Sequence, residues 1–342
     1  MIVPSTYTVA LLLTILSMIC WGSWANTQKL AGKWRFELFY IDYSIGVLLA
    51  AVIAAFTFGM LGSELNFQDN LLITGKRQIA FCFAAGVVFN LANMLLVAAI
   101  AVAGMAVAFP IGIGLALVIG VVWSYILNPQ GNPLLLFGGA AVVVAAIIVD
   151  AMAYGALAAA RQPKQEPGAR RRQGSPSAQG IILSCISGVL MGSFYPLVEM
   201  SKIGELGLGP YTVALIFAIG VFLSTFPFNL YFMNLPVQGP PLKFTYYFRG
   251  TKSQHLLGLA GGIIWCTGAV CNFTAASAPQ SANVGPAVSY AMGQGATLIS
   301  ALWGILYWKE FEGAPPRVRT LITVMILLFV VGLGMVSIAP LA

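Results

Sequence analysis

Apolar residues in this chain come in long unbroken runs rather than in the period-two alternation of half-buried strands, and short clusters of Gly, Pro and charge separate the runs. Each run holds roughly 20 residues, enough at about 1.5 Å per residue to cross a hydrocarbon core of about 30 Å. The pattern predicts ten helical spans, near 6–27, 39–62, 77–101, 105–127, 133–158, 180–201, 211–234, 256–276, 282–307 and 318–340. The third, fourth and fifth spans, and the eighth and ninth, are joined by short links and are therefore antiparallel neighbours.

The pattern is also written twice. Displaced by 176 positions, Gly86, Ala99, Ala106, Pro110 and Ser124 fall on Gly262, Ala275, Ala282, Pro286 and Ser300, with Phe89 on Trp265. Near the start of each half, Trp21-Gly22-Ser23-Trp24 answers Met191-Gly192-Ser193-Phe194. The expected fold is an all-α integral membrane protein of ten transmembrane helices, arranged as a first five-helix repeat over 1–160, a basic linker over 161–179 and a second five-helix repeat over 180–342.

Composition and charge add a direction. Of the 342 residues, 59% are hydrophobic and 8% charged, where a soluble domain carries roughly 25% charged residues. Of the 17 Lys and Arg residues, only Lys76, Arg77 and Lys202 fall in even-numbered loops, so the positive-inside rule places the odd loops in the cytoplasm and both termini outside. Five spans per half is an odd number, which makes the repeat inverted. The run Arg170-Arg171-Arg172 belongs to the linker and reads as a topology-setting cytoplasmic segment near anionic lipid, not as a nucleic-acid site. The expected location is the cytoplasmic membrane, with multiple passes and a first span that is an uncleaved helix.

Intramembrane polar residues face the bundle interior or a water-filled cavity, because lipid cannot satisfy their hydrogen bonds. Trp21, Trp24 and Gln28 share one face of the first span; Asn90 and Asn93 share one of the third; Trp265 and Asn272 recur at the same seven-residue spacing in the eighth; Tyr290 and Gln294 lie four apart in the ninth. Amides donate and accept together, and indoles offer an apolar face with one donor, as an uncharged polar solute requires. Trp24, Asn90, Asn93, Trp265, Asn272, Tyr290 and Gln294 are thus candidates for solute binding. The competing role for the amides is interhelical bonding worth roughly 1 kcal/mol a pair.

Pro110 and Pro286, with glycines close by, are candidates for gating, since a proline frees a carbonyl one turn earlier and loosens a helix. Asp150 in the fifth span and Glu199 at the end of the sixth are candidates to carry a coupling proton. Asp42 suits a helix N-terminus.

Several chemistries are excluded. His255 is the one histidine and lies at a helix end, so no His-based metal site is expected, and no Walker loop or G-x-S-x-G elbow occurs. The five cysteines lie in apolar segments as small packing residues, not as a disulfide framework. An ATP-driven pump and an enzyme are both disfavoured, no cofactor is implied, and a proton gradient is the expected driving force.

The architecture resembles the drug/metabolite transporter superfamily, of EamA-like type. Trp303-Gly304-Ile305-Leu306-Tyr307-Trp308-Lys309-Glu310-Phe311 is similar to the closing motif of its ninth helix. Trp21-Gly22-Ser23-Trp24, Tyr40-Ile41-Asp42-Tyr43 and Leu48-Leu49-Ala50-Ala51-Val52-Ile53 resemble the opening of the ureide permeases, whereas Val107-Ala108-Phe109-Pro110-Ile111-Gly112-Ile113-Gly114 resembles bacterial glucose/ribose and rhamnose porters. The resemblance implies a secondary transporter for proton-coupled uptake of a small uncharged polar solute, a sugar first. The alternatives are a ureide or nucleobase-like amide, or export of drugs or metabolites.

Overall fold

A computed structural model describes residues 1–62, 65–161, 178–236 and 239–342. The basic linker therefore lies, from 162 to 177, outside the described residues. Thirteen α-helices follow in order: α1 Tyr7–Ser23, α2 Ala25–Leu30, α3 Phe36–Phe56, α4 Phe67–Ile73, α5 Lys76–Ala103, α6 Met105–Leu127, α7 Pro133–Arg161, α8 Ala178–Lys202, α9 Pro210–Asn234, α10 Lys252–Ala275, α11 Pro286–Gln294, α12 Ala296–Leu302 and α13 Pro316–Ile338. No strand occurs among the described residues. Among the described residues nine spans, with α1 and α2 joined into one, are long and apolar enough to cross a membrane.

Local chemistry sets the helix ends. Thr6 caps α1 by accepting from the Val9 N–H at 3.4 Å, and Thr251 and Gln254 form a reciprocal capping box at the start of α10. Prolines open α9, α11 and α13, where a missing N–H costs nothing. A single residue, Gly104, turns α5 into α6 with φ 78° and ψ 159°, a conformation that only glycine adopts readily.

Two expectations are corrected. The ninth span, expected as one helix over 282–307, consists of α11, α12 and a π-helical turn over Trp303–Tyr307. The break falls at Gly295, whose neighbour Gly293 lies so close to the Trp21 ring that a Cβ there would meet it at 2.5 Å. Pro286, which the pattern places inside that span, is instead the first residue of α11, where it interrupts nothing. Pro110 does lie inside α6, in its second turn.

The helices pack through small residues, as lipid supplies no hydrophobic drive between them. A Cβ on Gly262 of α10 would stand 2.0 Å from the Tyr43 carbonyl of α3, and one on Gly86 of α5 would stand 2.2 Å from the Phe217 carbonyl of α9. Helix α8 lies against α5 and α6, α1 against α10 and α12, α3 against α9, α6 against α11, and α7 against α13. Leucines, isoleucines and valines such as Leu12, Leu16, Ile53, Leu223 and Val330 cover the outside, the surface a bilayer would solvate.

Candidate functional site

Trp24, Asn93, Trp265 and Gln294 border one cavity of about 170 Å³ in the middle of the bundle. Its walls come from α1, α5 and α6 on one side and α8, α10, α11 and α12 on the other, so both halves of the chain build it. The walls are largely aromatic. Trp21 and Trp265 stack with centroids 5.8 Å apart, Phe89 leans on Trp265 at 4.4 Å, and Trp24 rests on Tyr43 at 4.9 Å. Trp21 is anchored by its indole N–H, which donates to the Trp265 carbonyl at 3.2 Å.

The polar groups at the cavity carry no charge. Asn93 donates through Nδ2 to Tyr40 Oη at 3.0 Å, and among the described residues its Oδ1 accepts nothing. Gln294, Thr297 and Ser300 follow at three-residue steps from α11 into α12, and their side chains make no hydrogen bond among the described residues. Open donors and acceptors therefore stand between stacked rings, a setting for a flat, uncharged molecule with its own N–H and C=O groups.

The other three candidate side chains bond to neighbouring helices, although Asn90 Oδ1 is buried without a partner among the described residues. Asn90, fully buried, donates to the Val221 carbonyl, Ser224 Oγ and Thr225 Oγ1 at 2.8–3.2 Å and binds α5 to α9. Asn272 accepts from Tyr195 Oη at 2.7 Å and from Ser289 Oγ at 3.0 Å, and donates to Ser17 Oγ at 3.3 Å and the Ser289 carbonyl at 3.0 Å. Tyr290 bonds the carbonyls of Ala116 and Met191, each at 3.2 Å. Asn272 and Tyr290 thus belong to one hydrogen-bonded layer that joins α1, α6, α8, α10 and α11 just beyond the aromatic floor.

Of the two candidate proton carriers, Asp150 is buried in α7 with no ion pair and no hydrogen bond among the described residues, one turn from Tyr154. Glu199 is buried too but forms an ion pair with Lys202 at 2.6 Å.

Two further polar clusters lie at the basic end of the bundle. Glu310, in the expected closing motif, pairs with Lys29, accepts from Tyr154 Oη at 3.1 Å, and through its carbonyl accepts from Arg161. Asp42 accepts from Tyr247 Oη at 2.5 Å and contacts His255 Nδ1 at 2.8 Å. Burial, and then the bond to Asp42, raise the Tyr247 hydroxyl above its ordinary range, so it stays a donor. In the sequence Asp42 and His255 read as separate helix-end residues, because their contact spans 213 positions. The sequence does hold signals for further cavity residues. Phe89 is the repeat mate of Trp265, Ser300 that of Ser124, and Gln294, Thr297 and Ser300 have the spacing of one helical face.

The ureide permease family's sequence profile matches residues 39–178 and 169–339, which together span most of the chain. The chain belongs to the ureide permease family. Its members are membrane transporters and not enzymes, so this multi-pass protein is a membrane transporter. Among curated relatives, this permease is 24% identical to "Ureide permease 1" of Arabidopsis thaliana over 94% of each chain. It is 22% identical to "Ureide permease 2" of the same plant, over 94% of this chain and 93% of the relative. A "Probable ureide permease A3" of Vigna unguiculata is 33% identical over 115 residues, about a third of each chain. One solved crystal structure superposes on 96% of both chains with a TM-score of 0.60 at 15% identity, which shows a shared fold.

Proposed function

We propose that this permease moves an uncharged ureide-type solute across the cytoplasmic membrane, inward and coupled to protons. The observation that carries the reading is the chemistry of the central cavity: stacked indole and phenyl rings with unpaired amide and hydroxyl groups and no ionised side chain. Family membership backs a ureide better than the sugar that the sequence put first. Trp24, Trp265, Asn93 and Gln294 contact the solute in this reading, with Thr297 and Ser300 added. A planar amide ring stacks on Trp24 or Trp265 while Asn93 Oδ1 takes an N–H and Gln294 donates to a carbonyl.

Alternation uses the inverted five-plus-five repeat, as in the drug/metabolite transporter superfamily that the sequence resembles. Its support is the packing: exchanging α1, α3, α5, α6 and α7 with α8, α9, α10, α11–α12 and α13 returns most of the contacts, α9–α10 and α7–α11 being the exceptions. The pair α3–α10 becomes α9–α5, α1–α10 becomes α8–α5, and α7–α13 maps on itself. The cavity's lining residues on α1, α5, α6 and α12 lie at mid-helix or toward the basic end, and the layer of Tyr195, Asn272, Ser289 and Tyr290 lies on the other side. In this reading the state is open to the cytoplasm, with that layer as the closed outer gate and Pro110 of α6 and the Gly295 break as hinges. Asp150 is the coupling carboxyl in this reading, because among the described residues it has no ion pair, whereas Lys202 already neutralises Glu199.

Uptake of labelled allantoin, glucose and rhamnose by cells expressing the permease, with and without a protonophore, tests this. Allantoin accumulates, the two sugars do not, and the protonophore abolishes accumulation; Asp150→Asn retains allantoin exchange but no longer concentrates it. Accumulation of glucose in place of allantoin would overturn the substrate reading, and protonophore-insensitive accumulation the coupling.

A further inference from the structure

A second cavity, of about 460 Å³, lies at the opposite end of the bundle from the basic loops. The C-terminal ends of α6, α8 and α10 and the loop 203–209 enclose it, with Asn128, Glu199, Lys202 and Ser277 on its walls. Glu199 and Lys202 keep side-chain exposures of only 8% and 12%, so both halves of their ion pair are largely withdrawn from solvent. The Ser277 hydroxyl is buried on the same wall without a hydrogen-bond partner among the described residues. Asn70 fixes the floor: its amide donates to the Gly207 carbonyl at 3.0 Å and accepts from Gly209 N–H at 2.9 Å and Thr212 Oγ1 at 2.7 Å.

A buried ion pair is not an efficient way to stabilise a fold, because desolvation offsets the attraction. Here the pair borders open space beside an unpaired hydroxyl. The position is equally telling. Tyr195 lies one turn inward of Glu199 on α8, and Asn272 one turn inward of Ala276 on α10; the two are joined by the 2.7 Å bond that holds the proposed outer gate. Met191 and Phe194, farther along α8, border the central cavity. One helical turn is about 5.4 Å, so a single hydrogen-bonded layer separates the two cavities.

We propose that this cavity is a second, outer binding site, in which a ureide-type solute waits before the Tyr195–Asn272 contact opens. The Glu199 carboxylate accepts two N–H groups of the urea edge, the Lys202 ammonium donates to its carbonyl, and Ser277 takes a remaining polar group. The proposal rests on the ureide reading of the central cavity and adds a site on the same path.

Equilibrium binding of labelled allantoin to the purified full chain distinguishes the two sites. The expected result is two molecules per chain for the wild type, and one for Glu199→Gln, for Asn93→Ala, and for Asn128→Trp, which fills the outer cavity from its rim and leaves the ion pair intact. Loss of the charge-assisted bonds should weaken the outer site by about tenfold or more. If Glu199→Gln does not fold, Asn128→Trp decides. A wild type that binds one molecule, retained in Glu199→Gln and Asn128→Trp but lost in Asn93→Ala, overturns the outer site and leaves the central reading standing. One molecule lost in Glu199→Gln and kept in Asn93→Ala supports the outer site and removes the central one. A wild type that binds none overturns both.

Discussion

Asn90 and Asn93 lie on one face of one helix, less than a turn apart, and have different occupations. Asn90 turns its N–H groups to acceptors of α9 and keeps its oxygen buried without a partner among the described residues, away from the cavity lining, whereas the free oxygen of Asn93 belongs to a residue that borders the cavity. Their substitutions should therefore separate. Asn93→Ala, and Gln294→Ala on the opposite wall, remove a bond made to the solute and lower the uptake efficiency for allantoin by about tenfold each. Asn90→Ala makes no such bond and leaves the KM in place, but lowers thermal stability by about 1 kcal/mol, seen as a reduced Tm in detergent. Equal KM changes for Asn90→Ala and Asn93→Ala would show that the cavity is not the site. The types and spacing of these residues are visible in the sequence; which of them has a partner across the bundle is not.

At the scale of helices, glycine decides how near two backbones come. Gly86 and Gly262 occupy matched positions 176 residues apart, and each lets a helix rest against a neighbouring carbonyl, α5 on α9 and α10 on α3. Leucine at Gly262 would force α10 away from α3 and with it the Asp42–His255 contact one helical region away. Gly262→Leu should destabilise the fold by about 1–3 kcal/mol or more, as overpacking does, with loss of monodisperse protein in size-exclusion chromatography. A variant with wild-type elution and Tm would refute the close-packing account. The same scale shows where pattern reading stops. Ala296–Leu302 and Pro286–Gln294 are apolar enough to read as one span, but Gly293 and Gly295 accept Trp21 and Met18 of α1, and the path of the helix breaks there.

For the molecule as a whole, the charge distribution predicts which end faces the cytoplasm. Glu312 lies in an exposed loop at the basic end and Glu205 in an exposed loop at the other. In intact cells a membrane-impermeant maleimide should label Glu205→Cys, and label Glu312→Cys only after permeabilisation; the native thiols, all buried or half-buried, give a low background. The reverse pattern would invert the orientation and exchange the inner and outer cavities. The sequence by itself determined that the chain is a helical membrane protein and where most spans run, because hydrophobic length is a local property of the chain. Tertiary structure alone decided which polar groups meet. Trp21 meets Trp265, Tyr195 meets Asn272, and Asp42 meets His255, across separations of 77 to 244 residues. Those meetings decide which amides bind helix to helix and which keep an open group at a cavity, since a polar group is left free only where no neighbour from another helix has reached it.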